Sequence, residues 1–167
     1  MIREDLKLTE NQLRLYSNIN YYDRYKKLSQ SFRKKEDALQ EINNDKVIQI
    51  IENKGYKVRY NSKESFFKIN ENINEHNFYF HVSLKRGLVE FIFGLLRKSD
   101  ESGMKIGDQI GGTISRTCKL IEINKGIESN GYIEYPVFSD YNELKEILQE
   151  GLSLFEDLKS ETIKIYN

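Results

Sequence analysis

Three side chains in the middle of the chain are of types that act as acids and bases in hydrolytic chemistry. His76 and His81 are five residues apart, and Lys85 follows four residues after the second histidine. Two histidines and a lysine can cleave RNA when one group removes a proton and another donates one. A small ribonuclease or phosphoesterase that uses His76, His81 and Lys85 is therefore one hypothesis. The simpler interpretation places these residues on the exposed side of a β-sheet.

No segment of the sequence has the spacing of a metal or nucleotide site. Neither histidine has a ligand-type neighbour at the distance along the chain that a zinc site needs. Gly107-Asp-Gln-Ile-Gly-Gly112 lies in a glycine-rich segment, 103–112, but it lacks the lysine with which a P-loop reaches phosphates. We expect that segment to be a surface loop and the single cysteine, Cys118, to be a small buried residue. The sequence therefore predicts no catalytic residue, no cofactor and no metal.

Helices are predicted at the start of the chain. Thr9-Glu-Asn-Gln12 has the pattern of a capping box, so a helix should run from about residue 10 to the mid-thirties. A second helix is predicted from about Asp37 to Lys54, ending before Gly55, because glycine favours the left-handed position that follows a helix. Asn43-Asn44-Asp45 could split this second helix.

Strands are predicted in the middle of the chain. Phe78–Leu84 alternates apolar and polar residues, and a hairpin turn connects it to Leu88–Leu96. Because Leu88–Leu96 is apolar on both sides, we expect it inside the sheet. Shorter strands are predicted at Tyr56–Tyr60 and Phe66–Ile69, followed by a polar connection over Asn70–Asn77. A last extended piece should end at the only proline, Pro136.

The closing helix carries the clearest pattern in the sequence. Asp140 or Ser139 should cap its start, and an apolar stripe with helical spacing follows. The stripe consists of Leu144, Ile147, Leu148, Phe155 and Leu158, with Leu152 at its edge. The predicted fold class is α+β, in which N-terminal helices and a long C-terminal helix pack on a mostly antiparallel sheet of four or five strands.

The chain length of 167 residues predicts a single domain over 1–167. Within it we expect a helical part at 1–54, the sheet at 55–138 and the C-terminal helix at 139–165. The longest apolar run, Phe91–Leu96, is far shorter than the roughly twenty residues that cross a bilayer, and the first residues do not resemble a secretory signal. The sequence therefore predicts a cytoplasmic protein that does not bind membranes.

The charges balance over the whole chain but not along it. The 26 basic and 26 acidic side chains give a net charge of zero, which argues against nucleic acid as a partner. Residues 1–60 hold 13 basic and 9 acidic side chains, whereas residues 121–167 hold 4 and 10. On a helix, Glu143, Glu146, Glu150 and Asp157 fall within an arc of about 60°, away from the apolar stripe. Such a face is either simply solvated or a surface for a basic partner.

The stretch from Tyr132 to Leu144, which leads into the final helix, is similar to sequences of the immunity proteins of bacterial polymorphic and contact-dependent growth inhibition toxin systems. The chain also resembles them in being short, rich in Lys, Ile and Asn, and free of an enzyme signature. The resemblance implies a non-catalytic inhibitor that binds a cognate toxin domain, in many cases a nuclease, and occludes its active site. The residues proposed to bind the toxin are Glu134, Asp140, Glu143, Glu146, Glu150 and Asp157.

A third hypothesis is a structural or adaptor domain without enzymatic activity. The N-terminal helices are rich in tyrosine, and these rings could form the contact face of a homodimer. The tyrosines concerned are Tyr16, Tyr21, Tyr22 and Tyr25.

Overall fold

The computed structural model describes residues 1–33, 36–74, 76–96, 110–129, 131 and 133–166. A short 3-10 turn at Glu4–Leu6 precedes the main elements. These elements, in chain order, are α1 (Glu10–Asn18), α2 (Tyr21–Ser31), α3 (Asn44–Glu52), β1 (Arg59–Asn61), β2 (Phe66–Ile73), β3 (His76–Lys85), β4 (Leu88–Leu96), β5 (Gly111–Thr113), α4 (Ile114–Lys125) and α5 (Tyr141–Tyr166). The predicted fold class is confirmed: helices from both ends of the chain pack on an antiparallel sheet.

The single helix predicted from about residue 10 to the mid-thirties is divided into two helices, α1 and α2. The capping box at Thr9 is present, since its hydroxyl accepts from the Gln12 amide and the Gln12 side chain accepts from the Thr9 amide. The helix then ends, because Asn20 has a left-handed backbone (φ 58°) that an α-helix cannot continue through. The bend brings the Tyr16 and Tyr21 rings to 5.0 Å between centroids. Two short helices therefore replace one long one and turn their tyrosines into the core.

Helix α3 is shorter than predicted. Its cap is Asn43, whose side-chain oxygen accepts hydrogen bonds from the amides of Asp45 and Lys46. The helix therefore begins at Asn44, and residues 38–43 lead into it without regular structure. The left-handed glycine that was predicted after the helix is confirmed, since Gly55 has φ 91°.

The five strands form one antiparallel sheet in the order β1-β2-β3-β4-β5. The polar connection predicted over Asn70–Asn77 is wrong, because β2 continues to Ile73 and Ile73 pairs with His76. A tight turn joins these strands, and Asn74 takes its left-handed position (φ 48°), which asparagine tolerates better than most residues. The expected strand at Tyr56–Tyr60 is reduced to the three residues of β1.

Strand β4 lies inside the sheet, between β3 and β5, as its apolar pattern predicts. The segment after β5 could form either a helix or a strand on its sequence; it forms α4, capped by the Thr113 hydroxyl, which accepts from the Arg116 amide. The last predicted strand is absent from residues 133–136, and Tyr132 lies outside the described residues. Instead, Val137 makes an isolated bridge to Leu88.

Helix α5 packs across one face of the sheet. Its Phe155 ring stacks on Phe80 at 5.2 Å between centroids and also contacts Phe93 at 5.8 Å. Gly151 allows the close approach, because a Cβ at this position would lie 2.5 Å from the Phe91 ring. All six residues of the predicted apolar stripe are buried. The helices thus cover the sheet face that carries Phe80 and Phe93.

Candidate functional site

The predicted partner-binding residues begin at the start of α5. Asp140 caps the helix, with its carboxylate accepting from the Glu143 amide at 2.8 Å. The Glu143 carboxylate accepts from the amide and the hydroxyl of Ser139, at 2.9 and 3.1 Å. Both acids suit this position because the helix N-terminus carries a partial positive charge. Asp140 and Glu143 therefore have a structural role here, although the Asp140 side chain is exposed.

Glu134 and Glu146 have no such structural role. Both are exposed, and neither forms an ion pair with a described basic residue. Only the backbone of Glu134 is held, since its carbonyl accepts from the Ser29 hydroxyl at 2.5 Å. These two carboxylates are consequently available to a partner at little structural cost.

The last two members of the row of acidic side chains on α5 have a basic partner that we did not expect. We expected Glu143, Glu146, Glu150 and Asp157 to lack a basic counterpart, and the structure contradicts this for Glu150 and Asp157. Arg24 of α2 donates to Glu150 at 3.2 Å and to Asp157 at 2.7 Å. The sequence does not reveal this pairing, because it depends on how the broken N-terminal helix crosses α5.

Arg24 is held at four points. Besides the two carboxylates, its guanidinium donates to the Ser153 hydroxyl at 3.0 Å and to the Ile19 carbonyl at 3.1 Å. The side chain is 22% exposed, so water competes only in part for these hydrogen bonds. Arg24 therefore connects the end of α1 and the start of α2 to α5, and Glu150 and Asp157 have a structural role as its partners.

A segment that the sequence pattern did not select lies beside the start of α5. The Leu39 amide donates to the Phe138 carbonyl at 3.0 Å, and the Asn43 amide donates to the Tyr141 hydroxyl at 3.0 Å. These two contacts place residues 39–43 along residues 138–141. They bring the exposed Glu41, and Asp45 just after it, to the same end of the molecule as Asp140.

Cations also lie at this end of the molecule: Arg33 follows Phe32, whose carbonyl accepts from the Val137 amide, and Arg86 precedes Gly87, whose carbonyl accepts from the Phe138 amide. Glu41, Asp45, Asp140 and Glu146 form no ion pair within the part of the chain that the structure describes. Lys46 follows Asp45 in the sequence, and its ammonium lies 4.9 Å above the Tyr141 ring. We call Glu41, Asp45, Glu134, Asp140 and Glu146 the acidic surface.

The candidate catalytic histidines lie on opposite faces of the sheet. His76 is buried and pairs with Ile73, whereas His81 is half-exposed and pairs with Lys68. Side chains five residues apart on a strand point in opposite directions, so these two imidazoles cannot act on one substrate. Lys85 shares the face of His81 at the far end of β3 and is exposed. The structure does not assemble the acid–base set of the ribonuclease hypothesis.

Most tyrosines of the homodimer hypothesis are buried inside the protein. Tyr16, Tyr21 and Tyr25 are 5%, 2% and 0% exposed and belong to the hydrophobic core. Tyr22 donates its hydroxyl to Glu122 at 2.8 Å. The expectation of a tyrosine-lined contact face is wrong, because the break at Asn20 turns these rings inward.

A buried ion cluster joins the edge of the sheet to α5. Lys159 is 3% exposed and contacts the carboxylates of Glu71 on β2 and of Glu156 one turn back on its own helix. Tyr56 donates its hydroxyl to Glu156 at 2.7 Å. Burial raises the pKa of Glu156, but the hydrogen bonds from Lys159 and Tyr56 outweigh it and hold the pKa below its usual range. The only hint in the sequence is a lysine next to the apolar stripe.

A second charged cluster holds the end of α4. Glu122 is buried and accepts from Tyr22 at 2.8 Å and from Lys119 at 3.3 Å. Burial raises the pKa of Glu122, yet these donors and Ser129 hold it below its usual range. Burial and the nearby Glu122 together raise the pKa of Tyr22 to about 12. Both partners of this hydrogen bond are therefore fixed in their ordinary charge states near neutral pH.

Cys118 is fully buried in the core, as predicted, and burial raises the pKa of its thiol. Most of the glycine-rich segment, including Gly107, lies outside the described residues. Among those that are described, no group of three or more His, Cys, Asp or Glu side chains is placed to hold a metal ion. No described helix combines the length and apolarity that crossing a bilayer requires.

Comparison of the chain with protein-family models, with curated proteins and with solved structures gives no significant match.

Proposed function

We propose that this protein is an immunity protein, a non-catalytic inhibitor that binds a cognate bacterial toxin domain and occludes its active site. The observation that supports it best is the acidic surface at the start of α5. Asp140 and Glu146 are exposed there, and Glu134, which precedes the helix, is exposed as well; none of the three has a basic partner among the described residues. Residues 133–150 contain five acidic side chains and one basic one, Lys145.

The physical basis of the proposal is electrostatic complementarity. A toxin that acts on nucleic acid has a basic groove that holds phosphates, and a protein surface with unpaired carboxylates is attracted to such a groove. Complementary potentials speed the encounter and orient the two proteins, while the final affinity comes from packing in the contact. An acidic inhibitor seated in the groove would exclude the substrate.

The proposed contact surface is revised from the one expected on sequence grounds. Glu150 and Asp157 are excluded from it because Arg24 already neutralises part of their charge. Glu41 and Asp45 are added because the contacts of residues 39–43 with residues 138–141 bring them to the same end. Glu143 contributes to the local negative charge but is bonded to Ser139. The proposed contact thus lies at the N-terminal end of α5.

The decisive experiment uses the gene next to this one. The C-terminal region of the protein encoded immediately upstream is expressed in a bacterial host with and without this chain. If the proposal holds, that region arrests growth when it is expressed alone. This chain should restore growth and co-purify with it as a stoichiometric complex. A neighbouring product that is harmless, or that remains toxic in the presence of this chain, would contradict the proposal.

A further inference from the structure

The face of the sheet opposite the helices carries a row of aromatic rings. Phe66 of β2 stacks on His81 of β3, with 4.2 Å between ring centroids and 19° between the planes. Tyr79, two residues before His81 and therefore on the same face, lies 5.1 Å from it. Phe66 pairs with Ser83, two residues from His81, so its ring is on the same face, and it lies outside the hydrophobic core cluster.

Two glycines let the Tyr79 ring lie against the backbone of the neighbouring strands. A Cβ at Gly94 of β4 would lie 2.2 Å from Cζ of this ring, and one at Gly111 of β5 would lie 2.9 Å from its hydroxyl. The backbone of Gly112 hydrogen-bonds that hydroxyl. Tyr79 is thus fixed on the sheet surface, and its side chain remains partly exposed.

Two basic side chains lie beside these rings. Arg59 pairs with Lys68, and Lys68 pairs with His81, so the three lie side by side across β1, β2 and β3. Among the described residues, neither Arg59 nor Lys68 forms an ion pair. Like charges directly opposite each other destabilise a sheet, so stability does not explain the arrangement. Burial and then Lys68 lower the pKa of His81, whereas Glu64, in the turn between β1 and β2, acts in the opposite direction.

The charges on this face have an excess of one sign. Strand residues that share it include three cations, Arg59, Lys68 and Lys85, and one carboxylate, Glu90. The zero net charge of the whole chain therefore conceals a basic, aromatic sheet face on one side and the acidic surface at the start of α5. The net charge of the whole chain gives no information about either surface.

We propose that this face binds single-stranded nucleic acid, with bases against Tyr79 and His81 and phosphates at Arg59 and Lys68. Aromatic side chains next to unpaired cations are the combination that single strands need, because every base has a flat face and every nucleotide a phosphate. An acidic polypeptide would use the cations, but it would gain little from the rings. This binding site is separate from the acidic surface and does not depend on the immunity function.

The test measures fluorescence anisotropy of a labelled oligothymidylate of about 12 nucleotides, which is long enough to span several stacking positions. The full chain is titrated into it at low salt. We expect saturable binding of the intact strand. An abasic strand of equal length keeps the phosphates but has no bases to stack, so its affinity should be at least about tenfold lower. A blunt duplex should also bind more weakly, because its bases are not accessible.

Surface variants locate the binding. Arg59→Glu with Lys68→Glu should lower the affinity at least about tenfold. The slope of log affinity against log salt should become shallower by roughly 0.7 for each phosphate that the variant no longer neutralises. Lys27→Glu, an exposed charge reversal on the helical side, is the control and should leave the affinity unchanged. Circular dichroism of each variant confirms that it is folded.

Three results would overturn the proposal. The first is absence of binding at low salt. The second is equal affinity for the intact and the abasic strand, which would mean that only charge is recognised, as for an acidic polypeptide. The third is an equal loss in the Lys27→Glu control, which would place the contact elsewhere.

Discussion

Arg24 and Asp157 form a 2.7 Å ion pair that ties α2 to the outer side of α5. The same guanidinium reaches Glu150, so the two acidic side chains in the second half of the row on α5 are both bound to Arg24. The pairing explains why the C-terminal half of that row is not part of the proposed contact surface.

Replacing Arg24 with methionine should destabilise the fold moderately. The variant keeps most of the packing but loses the donors to Glu150, Ser153 and Asp157. Because the two carboxylates are 40% and 52% exposed and can be hydrated, we expect a loss of only about 1–2 kcal/mol in the free energy of unfolding, measured with urea. Lys27→Met on the same helix is the control, and a loss as large in that variant would show that Arg24 has no special role.

Much of the fold follows from local sequence patterns. The capping box at Thr9, the alternation of Phe78–Leu84 and the stripe of α5 each specify an element within one segment of chain, and all three are confirmed. The break at Asn20 and the tight turn at Asn74 were not predicted, because asparagine only permits a left-handed backbone and tertiary packing selects it. The pairing of Arg24 depends in turn on that break.

Gly151 is predicted to be essential to the contact between α5 and β4. In an exposed helix, Gly→Ala is stabilising by roughly 1 kcal/mol because alanine favours the helix. Here a Cβ would lie 2.5 Å from the ring of Phe91, which is 1% exposed and cannot move away. We expect Gly151→Ala to lower the free energy of unfolding by about 1–3 kcal/mol.

Chemical denaturation measures that change, and Ser160→Ala, at an exposed position of the same helix, is the matched control. A stabilised Gly151→Ala variant would show that α5 does not pack closely on the sheet.

In the buried Lys159 cluster, removing the carboxylates should lower the free energy of unfolding more than removing the lysine. Lys159→Met leaves Glu71 and Glu156, which are 31% and 51% exposed and can be hydrated, so we expect a change below about 1.5 kcal/mol. Glu71→Gln combined with Glu156→Gln leaves a lysine that is 3% exposed without a carboxylate, and the expected loss is about 3 kcal/mol. Urea denaturation of both variants gives the comparison. Equal losses would contradict a cluster organised around a buried cation.

Stability should fall in acid partly through Glu122. Its pKa in the folded protein lies below the usual value, so its contribution is complete above the unfolded pKa of about 4.3 and is lost as the pH falls through the lower folded pKa. The free energy of unfolding should therefore fall less between neutral pH and about pH 3 in Glu122→Gln than in the wild type. Denaturation curves at the two pH values test this, and an unchanged difference would show that Glu122 is not stabilised in its charged form.

The candidate site was less predictable than the fold. Helical spacing correctly places Glu143 and Glu146 on one side of α5, because that is a local property. The proximity of Glu41 and Asp45 depends on contacts across about a hundred residues of sequence, such as that of Asn43 with Tyr141. Charge spacing along one helix contains no information about such neighbours.

The central claim is that the carboxylates at the start of α5 receive a basic toxin domain. Stopped-flow association of this chain with the C-terminal region encoded immediately upstream measures it most directly, with Glu134→Lys/Glu146→Lys compared against Glu128→Lys, an exposed acid just after α4. We predict that the double reversal slows association about tenfold at low salt, that added salt reduces the difference, and that Glu128→Lys associates at close to the wild-type rate. Equal association rates for all three proteins would contradict the account.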